Sequence, residues 1–388
     1  MRTRTMRAAG LAAVVACGVF VAAGRTTPVR AQVPAGGVEK LTVPPGFTIE
    51  VYAANVPFAR QLTVAPSGTV FVGAMKLGSK APYAIHALVD RNKDHAVDEV
   101  IPVATGLDTP NGVAFHKGAL YVAEMTRIVR FDDVEANLGK PQTPVVIVDK
   151  LPGNMQHGWK SIGFGPDGKL YVTIGAPCNV CEVKPEEPRT GSIARMNPDG
   201  SGFELVARGV RNSVGLDWHP VTKELWFTNN GRDMLGDDLP PDTLNRVSRA
   251  GQDFGFPYCH AGGIPDRDVV KANPCEGVTL PVTTMGPHAA VMGVKFYTGN
   301  MFPAEYRNAM FIARKGSWNR TEKFGYDVVT VTTDANGRNP QVKPFLTGFL
   351  NADQSFNGRP AYIHQQPDGS LLVSDEQMGA IYRVSYAR

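Results

Sequence analysis

One phrase recurs along this chain, and it restricts the possible folds more than any other feature. Residues 164–172, Phe164-Gly165-Pro166-Asp167-Gly168-Lys169-Leu170-Tyr171-Val172, carry it in full. Alternating apolar residues flank a Pro-Asp-Gly turn, in which Pro pre-sets φ and Gly accepts positive φ. The phrase therefore reads as two antiparallel strands with a tight connection. It returns at residues 64–72, 113–122, 216–227 and 364–373, and in expanded form at 294–312, where Asn300-Met301-Phe302-Pro303 makes the turn. Pro66, Pro166 and Pro367 mark equivalent turns. Spacings of about fifty residues early on, longer later, with several short strands per unit, indicate an all-β, six-bladed β-propeller. Tandem independent sandwiches would have no reason to share one hairpin phrase. The one helical expectation is a short turn near Glu305-Tyr306. Residues 32–45, rich in Pro and Gly, read as an extended lead-in. The long stretch 245–293 is expected to form loops on the functional face.

The first residues stand outside this pattern. Arg2, Arg4 and Arg7 precede an apolar run over residues 8–23, and Val29-Arg30-Ala31 fits a small-residue cleavage site. The run is too short for a typical membrane-spanning helix. Residues 1–31 are thus expected to be a secretory signal peptide, leaving a single propeller domain over 32–388, periplasmic or secreted, with no stable membrane span. Val14-Val15-Ala16-Cys17 has some likeness to a lipoprotein cleavage box, but the apolar run continues past Cys17. Removing the leader takes away five arginines, so 35 basic residues remain against 36 acidic ones. With no net positive charge left, nucleic acid is not an expected partner.

Four cysteines remain after Cys17: Cys178, Cys181, Cys259 and Cys275. An even number in an exported chain suggests disulfides, and sequence order suggests Cys178 with Cys181 and Cys259 with Cys275. The rival reading of Cys178-Asn179-Val180-Cys181 is a metal or redox motif. No second Cys-x-x-Cys follows, and Glu182 comes next, so neither a zinc ribbon nor a c-type haem site fits.

Residues that precede the same strand in successive blades gather at one end of the central channel. His157, Arg211 with Asn212, and Arg359 all precede such strands. Arg offers a rigid fork suited to a carboxylate or a quinone oxygen. Residues 228–242, following the fourth hairpin, are rich in oxygen ligands of the kind Ca²⁺ takes, without EF-hand spacing. Residues 313–320 add Arg314, Lys315 and Arg320 beside Trp318. Several cations converging on one channel suggest an anionic cofactor.

Taken together, Gln156-His157-Gly158, Arg211-Asn212, Asn230-Gly231-Arg232, Gly255-Phe256-Pro257, Gly316-Ser317-Trp318-Asn319-Arg320 and Gly358-Arg359-Pro360 resemble the pyrroloquinoline quinone (PQQ)-dependent sugar dehydrogenases, and within them the glucose/sorbosone dehydrogenase branch, over roughly residues 40–386. The resemblance implies His157 as general base and Arg211 and Asn212 at the quinone oxygens. It implies the backbone carbonyls of Gly231 and Arg232 as Ca²⁺ ligands, and Arg359 as the partner of a cofactor carboxylate. Lys315 and Arg320 would supply further cationic contacts. Two positions depart from the pattern: Gln156 stands where some members carry an acid, and Lys315 where many sorbosone-type members carry His.

The implied chemistry is oxidation of an aldose or sorbosone-like sugar. A neutral His157 accepts a hydroxyl proton, hydride passes to the quinone, Ca²⁺ polarises the quinone carbonyl, and Arg211 stabilises developing negative charge. An external acceptor, a quinone or a cytochrome, would take the electrons onward. Two alternatives belong to other classes: a Ca²⁺-dependent propeller hydrolase of lactonase type, and a propeller binding module without activity. A lactonase needs carboxylates and Asn around a channel metal, whereas the candidates here are His and cations.

Overall fold

A computed structural model describes residues 38–75, 83–154, 156–334 and 336–387. The expected signal segment lies outside them. The described chain forms six antiparallel β-sheets arranged as the blades of a propeller, and each repeated phrase is the hairpin of a blade's two innermost strands. Blade 1 comprises Ala59–Val64, Val70–Ala74, Tyr83–Val89 and Glu99–Leu107. Blade 2 comprises Gly112–His116, Ala119–Ala123, Ile128–Phe131 and Val145–Val148. Blade 3 comprises Ile162–Phe164, Leu170–Ile174, Ser192–Met196 and Glu204–Arg208. Blade 4 comprises Gly215–Trp218, Leu225–Asn229, Pro241–Val247 and Thr283–Pro287. Blade 5 comprises Val291–Phe296, Met310–Arg314, Asp327–Thr332 and Gln341–Leu346. Blade 6 takes Pro360–Gln365, Leu371–Asp375 and Ala380–Tyr386 from the end of the chain, and its outermost strand, Phe47–Ala53, from the beginning.

That last pairing closes the ring. Phe47 lies opposite Tyr386 and Val51 opposite Tyr382, so the first strand of the chain covers an edge that would otherwise present unpaired backbone groups. Phe47 anchors it, edge-on to Phe302 (4.8 Å), Tyr386 (4.8 Å) and Phe345 (5.0 Å) between ring centroids. The lead-in expected at 32–45 gave no sign of this strand.

Local chemistry explains the blades. The second strands of blades 1, 2 and 3 are buried along their whole length, because each is covered on both faces by neighbouring blades. This produces continuous apolar runs rather than strict alternation. The turns behave as their residues require: Gly68, Gly168 and Gly369 have φ of 99°, 73° and 92°, and each donates its N–H to the residue three positions back. The helical expectation near Glu305 is met by a single 3₁₀ turn, Ala304–Tyr306. No helix among the described residues is long and apolar enough to cross a membrane.

The stretch 245–293 is less loop-like than expected. Its first residues finish the third strand of blade 4 and residues 283–287 form that blade's fourth. Between them Gln252–Asp253 adds a parallel strand to blade 3, and Cys259–His260 pairs with Ile264–Pro265. Both expected disulfides are present, Cys178–Cys181 and Cys259–Cys275.

A polar network links residues at or just before the first strands of blades 2, 3, 4 and 6. Asn111 Nδ2 donates to Lys160 O (2.8 Å) and to Tyr362 Oη (3.2 Å). Tyr362 Oη shares a hydrogen with Ser161 Oγ, which lies 2.9 Å from Val214 O. Towards the end where the first strands finish, a cavity of about 220 Å³ opens, lined by Thr63, Phe115, Phe164, Trp218 and the ion pair of Lys295 with Asp217 (3.1 Å). The opposite end, where the first strands begin, carries the residues of interest.

Candidate active site

Two clusters occupy this mouth. The first joins blades 3, 4 and 5. His157 sits on the loop before blade 3's first strand and is 8% exposed. Asn154 shapes that loop, its Oδ1 accepting from the N–H of Gln156 (2.8 Å) and of His157 (3.1 Å). The ring fits because residue 175 is Gly: a Cβ there would lie 2.4 Å from His157 O and 2.5 Å from His157 Cβ. His157 Nδ1 is 2.8 Å from Ala176 O. A carbonyl only accepts, so Nδ1 carries the proton and Nε2 keeps its lone pair. Burial first, and the Arg211 charge second, push the imidazolium form down to a pKa of about 3. The ring is therefore neutral across the physiological range.

Arg211 is 3% exposed, and protein acceptors hold its guanidinium. Nε donates to Asn179 O (2.8 Å), Nη2 to Asn179 Oδ1 (2.9 Å) and Asp233 Oδ2 (2.8 Å), and Nη1 to Gly231 O (2.7 Å). Asn179 comes from the four-residue loop closed by Cys178 and Cys181, and its Oδ1 also accepts from Asp233 N at 2.7 Å. Asn319 of blade 5 reaches the same carboxylate at 2.9 Å. Asn212 is anchored through its backbone to Asn229 and Asn230, while its side-chain Oδ1 is buried without a partner. Trp159 Nε1 is likewise buried and unpartnered.

The second cluster joins blades 5, 6 and 1. Glu376 Oε2 lies 2.6 Å from Lys315 Nζ and 2.8 Å from Arg60 Nη2. Arg359 donates to Lys315 O (3.3 Å) and Gly316 O (2.8 Å), and lies over the rings of Tyr326 and Phe356 at 5.5 and 5.6 Å. Two cations thus pair with one carboxylate, and a third, Arg359, stands beside them on the backbone carbonyls of Lys315 and Gly316. Burial, reinforced by the Arg60 charge, pushes Lys315 down to about 7.

Six of the eight positions named from the sequence fall in these two clusters: His157, Arg211, Asn212 and Gly231 in the first, Lys315 and Arg359 in the second. The other two are Arg232, named for its backbone carbonyl, and Arg320, and the side chains of both are engaged outside the two clusters. Arg232 pairs with Asp266 (2.6 Å) and Asp268 (3.0 Å), and His260 Nε2 lies 2.7 Å from the same Asp266 oxygen, so this network fastens the 259–275 disulfide segment to blade 4. Arg320 is drawn to the loop at Asp237 and Asp238. The acids of 228–242 do not form a cage. Asp233 pairs with Arg211, Asp237 accepts from Thr321 N, and the buried Asp242 accepts from Gly231 N (2.8 Å) and Val291 N (3.4 Å). No group of three or more His, Cys, Asp or Glu able to hold a metal occurs among the described residues.

Sequence reading missed Arg60, Glu376, Asn179 and Asp233. Arg60 was within reach, since it stands at the start of blade 1's first strand as Arg359 stands just before that of blade 6. Asn179 carried no signal beyond its place between two cysteines.

Residues 117–383 match the family model for glucose/sorbosone dehydrogenase. The chain belongs to the glucose/sorbosone dehydrogenase family. That membership makes it a sugar oxidoreductase in class. An uncharacterised protein of Borreliella burgdorferi is 34% identical over 361 residues, 90% of this chain and 91% of the relative. Among solved structures, a Trichoderma reesei carbohydrate-active enzyme of family AA12 superposes with a TM-score of 0.74 at 18% identity, covering 93% of this chain and all of that one. The PQQ domain of pyranose dehydrogenase from Coprinopsis cinerea, in its holo form, gives 0.72 at 17% identity, covering 89% and 97%. PQQ-bound aldose sugar dehydrogenase from Streptomyces coelicolor gives 0.59 at 17%, covering 89% and 100%. At these identities the likeness establishes the fold.

Proposed function

We propose that this member of the family oxidises an aldose or a sorbosone-like sugar with PQQ as its cofactor, His157 acting as general base. The observation that carries the reading is the state of His157. It is neutral, its tautomer is fixed by a backbone carbonyl, and its Nε2 makes no hydrogen bond among the described residues.

The cradle fits a planar tricarboxylate. Arg60, Lys315 and Arg359 outnumber Glu376, and the unpartnered Asn212 Oδ1 and Trp159 Nε1 leave polar capacity unused. Lys315 and Arg359 would hold cofactor carboxylates, and Asn212 would meet a polar edge. Arg320 belongs to this set only as an outer contact, since its guanidinium is engaged with the 237–238 loop. PQQ, when bound, supplies a two-electron acceptor for the substrate's hydride. The chain's own part is to take the hydroxyl proton at His157 Nε2 and to keep that nitrogen unprotonated beforehand. Arg211 has its donors committed to Asn179, Asp233 and Gly231, so it acts on the reacting centre through its buried positive charge.

Ca²⁺ fits this chain only in company. The Gly231 carbonyl already accepts from Arg211, and neither it nor the Arg232 carbonyl brings a negative charge. A cation there needs ligands from the cofactor, so metal binding should depend on the quinone. The same lack of a carboxylate cage counts against the lactonase alternative. The electrons are then taken by an external quinone or cytochrome, and an exported protein in the periplasm or outside the cell suits that exchange.

The test is reconstitution. Purified protein is given PQQ and Ca²⁺ and assayed for dye reduction with a panel of aldoses, sorbosone and lactones. Sugar-dependent reduction supports the reading. Lactone hydrolysis without quinone would replace it.

A further inference from the structure

Lys160 is the one fully buried lysine near His157, and nothing in the chemistry above uses it. Its exposure is 0%, and it makes no ion pair with a carboxylate among the described residues. Instead Nζ donates to Pro152 O (2.6 Å) and to Gly158 O (2.8 Å). These two carbonyls bracket the loop that carries His157, next to Gly158. The backbone is closely packed at Gly158 and Gly153. A Cβ at Gly158 would lie 2.2 Å from Asn154 O and 2.3 Å from Met125 Sδ, and one at Gly153 would lie 2.6 Å from Met125 O.

A buried ammonium without a counter-charge is costly, and an apolar side chain of the same length would avoid that cost. What the ammonium supplies is several donors at one point, enough to tie both ends of the loop together from beneath. Burial, with Arg189 adding to it and Asp108 opposing, pushes Lys160 down to about 7. This fits a group held for its donors rather than for a salt bridge.

We propose that Lys160 is a positioning residue for the base: by holding the Pro152 and Gly158 carbonyls it sets the height of the His157 ring, so that Nδ1 meets Ala176 O and Nε2 faces the mouth. The catalytic importance of this rests on the reading of His157 as base; the positioning itself does not.

The experiment compares wild type, Lys160→Met, Lys160→Arg and His157→Ala. Imidazole ¹⁵N spectra of the histidine-labelled protein report the tautomer of His157, assigned by difference from His157→Ala. Turnover, KM and PQQ affinity are measured on protein loaded with PQQ and Ca²⁺. Lys160→Met is expected to convert a single Nδ1–H tautomer into an averaged mixture. Its kcat should fall about 10- to 100-fold, within the span of a displaced base, with KM and quinone affinity within about two-fold of wild type. Lys160→Arg, which keeps several donors, is expected to retain the wild-type spectrum. Should Lys160→Met fail to fold, Lys160→Gln, which lacks the reach to both carbonyls, is read in the same way. An unchanged tautomer signal in the Met or Gln variant would overturn the proposal, as would loss of rate that merely follows loss of quinone. Full turnover in His157→Ala would instead defeat the base reading, while the spectra still judge Lys160.

Discussion

His157 and Arg211 are joined through a single residue: Ala176 accepts from His157 Nδ1 at 2.8 Å with its carbonyl and donates its N–H to the backbone carbonyl of Arg211 at 2.8 Å. The base loop and the backbone that carries the buried cation are therefore tied together, and the Arg211 charge adds to burial in keeping the base neutral. If Nε2 takes the substrate proton, His157→Ala should lower kcat by about 10²–10⁴ while quinone affinity stays within a few-fold. Steady-state kinetics and a quinone titration of the same preparation check this.

The pH dependence follows from the sign of the His157 shift. Its folded pKa, about 3, lies below the ordinary histidine value of 6.5, so the unfolded chain binds the proton more readily. Stability is fully present above pH 6.5 and is lost as pH falls from there towards 3. His364, also pushed down to about 3 by burial, adds in the same direction. Activity should show no acid limb near 6.5 from the base. Turnover measured between pH 4.5 and 8, alongside melting temperatures over the same range, checks both statements.

Gly175 should tolerate no side chain. With a new Cβ 2.4 Å from His157 O, Gly175→Ala must push the base loop away from Ala176. Turnover should drop by at least about ten-fold, as expected for a displaced base. The blade itself, formed by the strand ending at Ile174, should persist, giving an unchanged far-ultraviolet dichroism spectrum.

Ring closure should be the weak point for stability. Phe47 is 8% exposed and packs against four aromatic rings. Phe47→Ala is expected to cost about 3–5 kcal/mol, measured by denaturant unfolding.

The sequence made the six blades readable because each repeats one turn whose residues have backbone reasons to be there, as Gly168 and Gly369 show. The closing strand was hidden, because Phe47–Ala53 has no hairpin partner nearby in sequence and pairs with residues more than three hundred positions away. At the site, His157, Arg211 and Arg359 were legible from their shared place before first strands. The direction of the Arg320 side chain was not, nor that of Arg232, which was named for its carbonyl alone, since a cation's direction depends on which acid lies nearest, and Asp238 and Asp266 arrive from segments whose path the repeat does not dictate. Lys160 was passed over for the same reason: only the folded loop reveals that its partners are two carbonyls.

The central claim is tested most directly by watching protein-bound quinone in the absence of any electron acceptor. Protein loaded with PQQ, with and without Ca²⁺, is mixed anaerobically with an aldose or sorbosone and the absorbance of the bound cofactor is followed. The expected result is one quinone per chain, held more weakly by Arg359→Ala, and a single-turnover reduction that needs sugar and slows by about 10²–10⁴ in His157→Ala. Ca²⁺ is also expected to bind appreciably only when the quinone is present. A chain that fails to bind PQQ, or whose bound PQQ no sugar reduces, would contradict the claim.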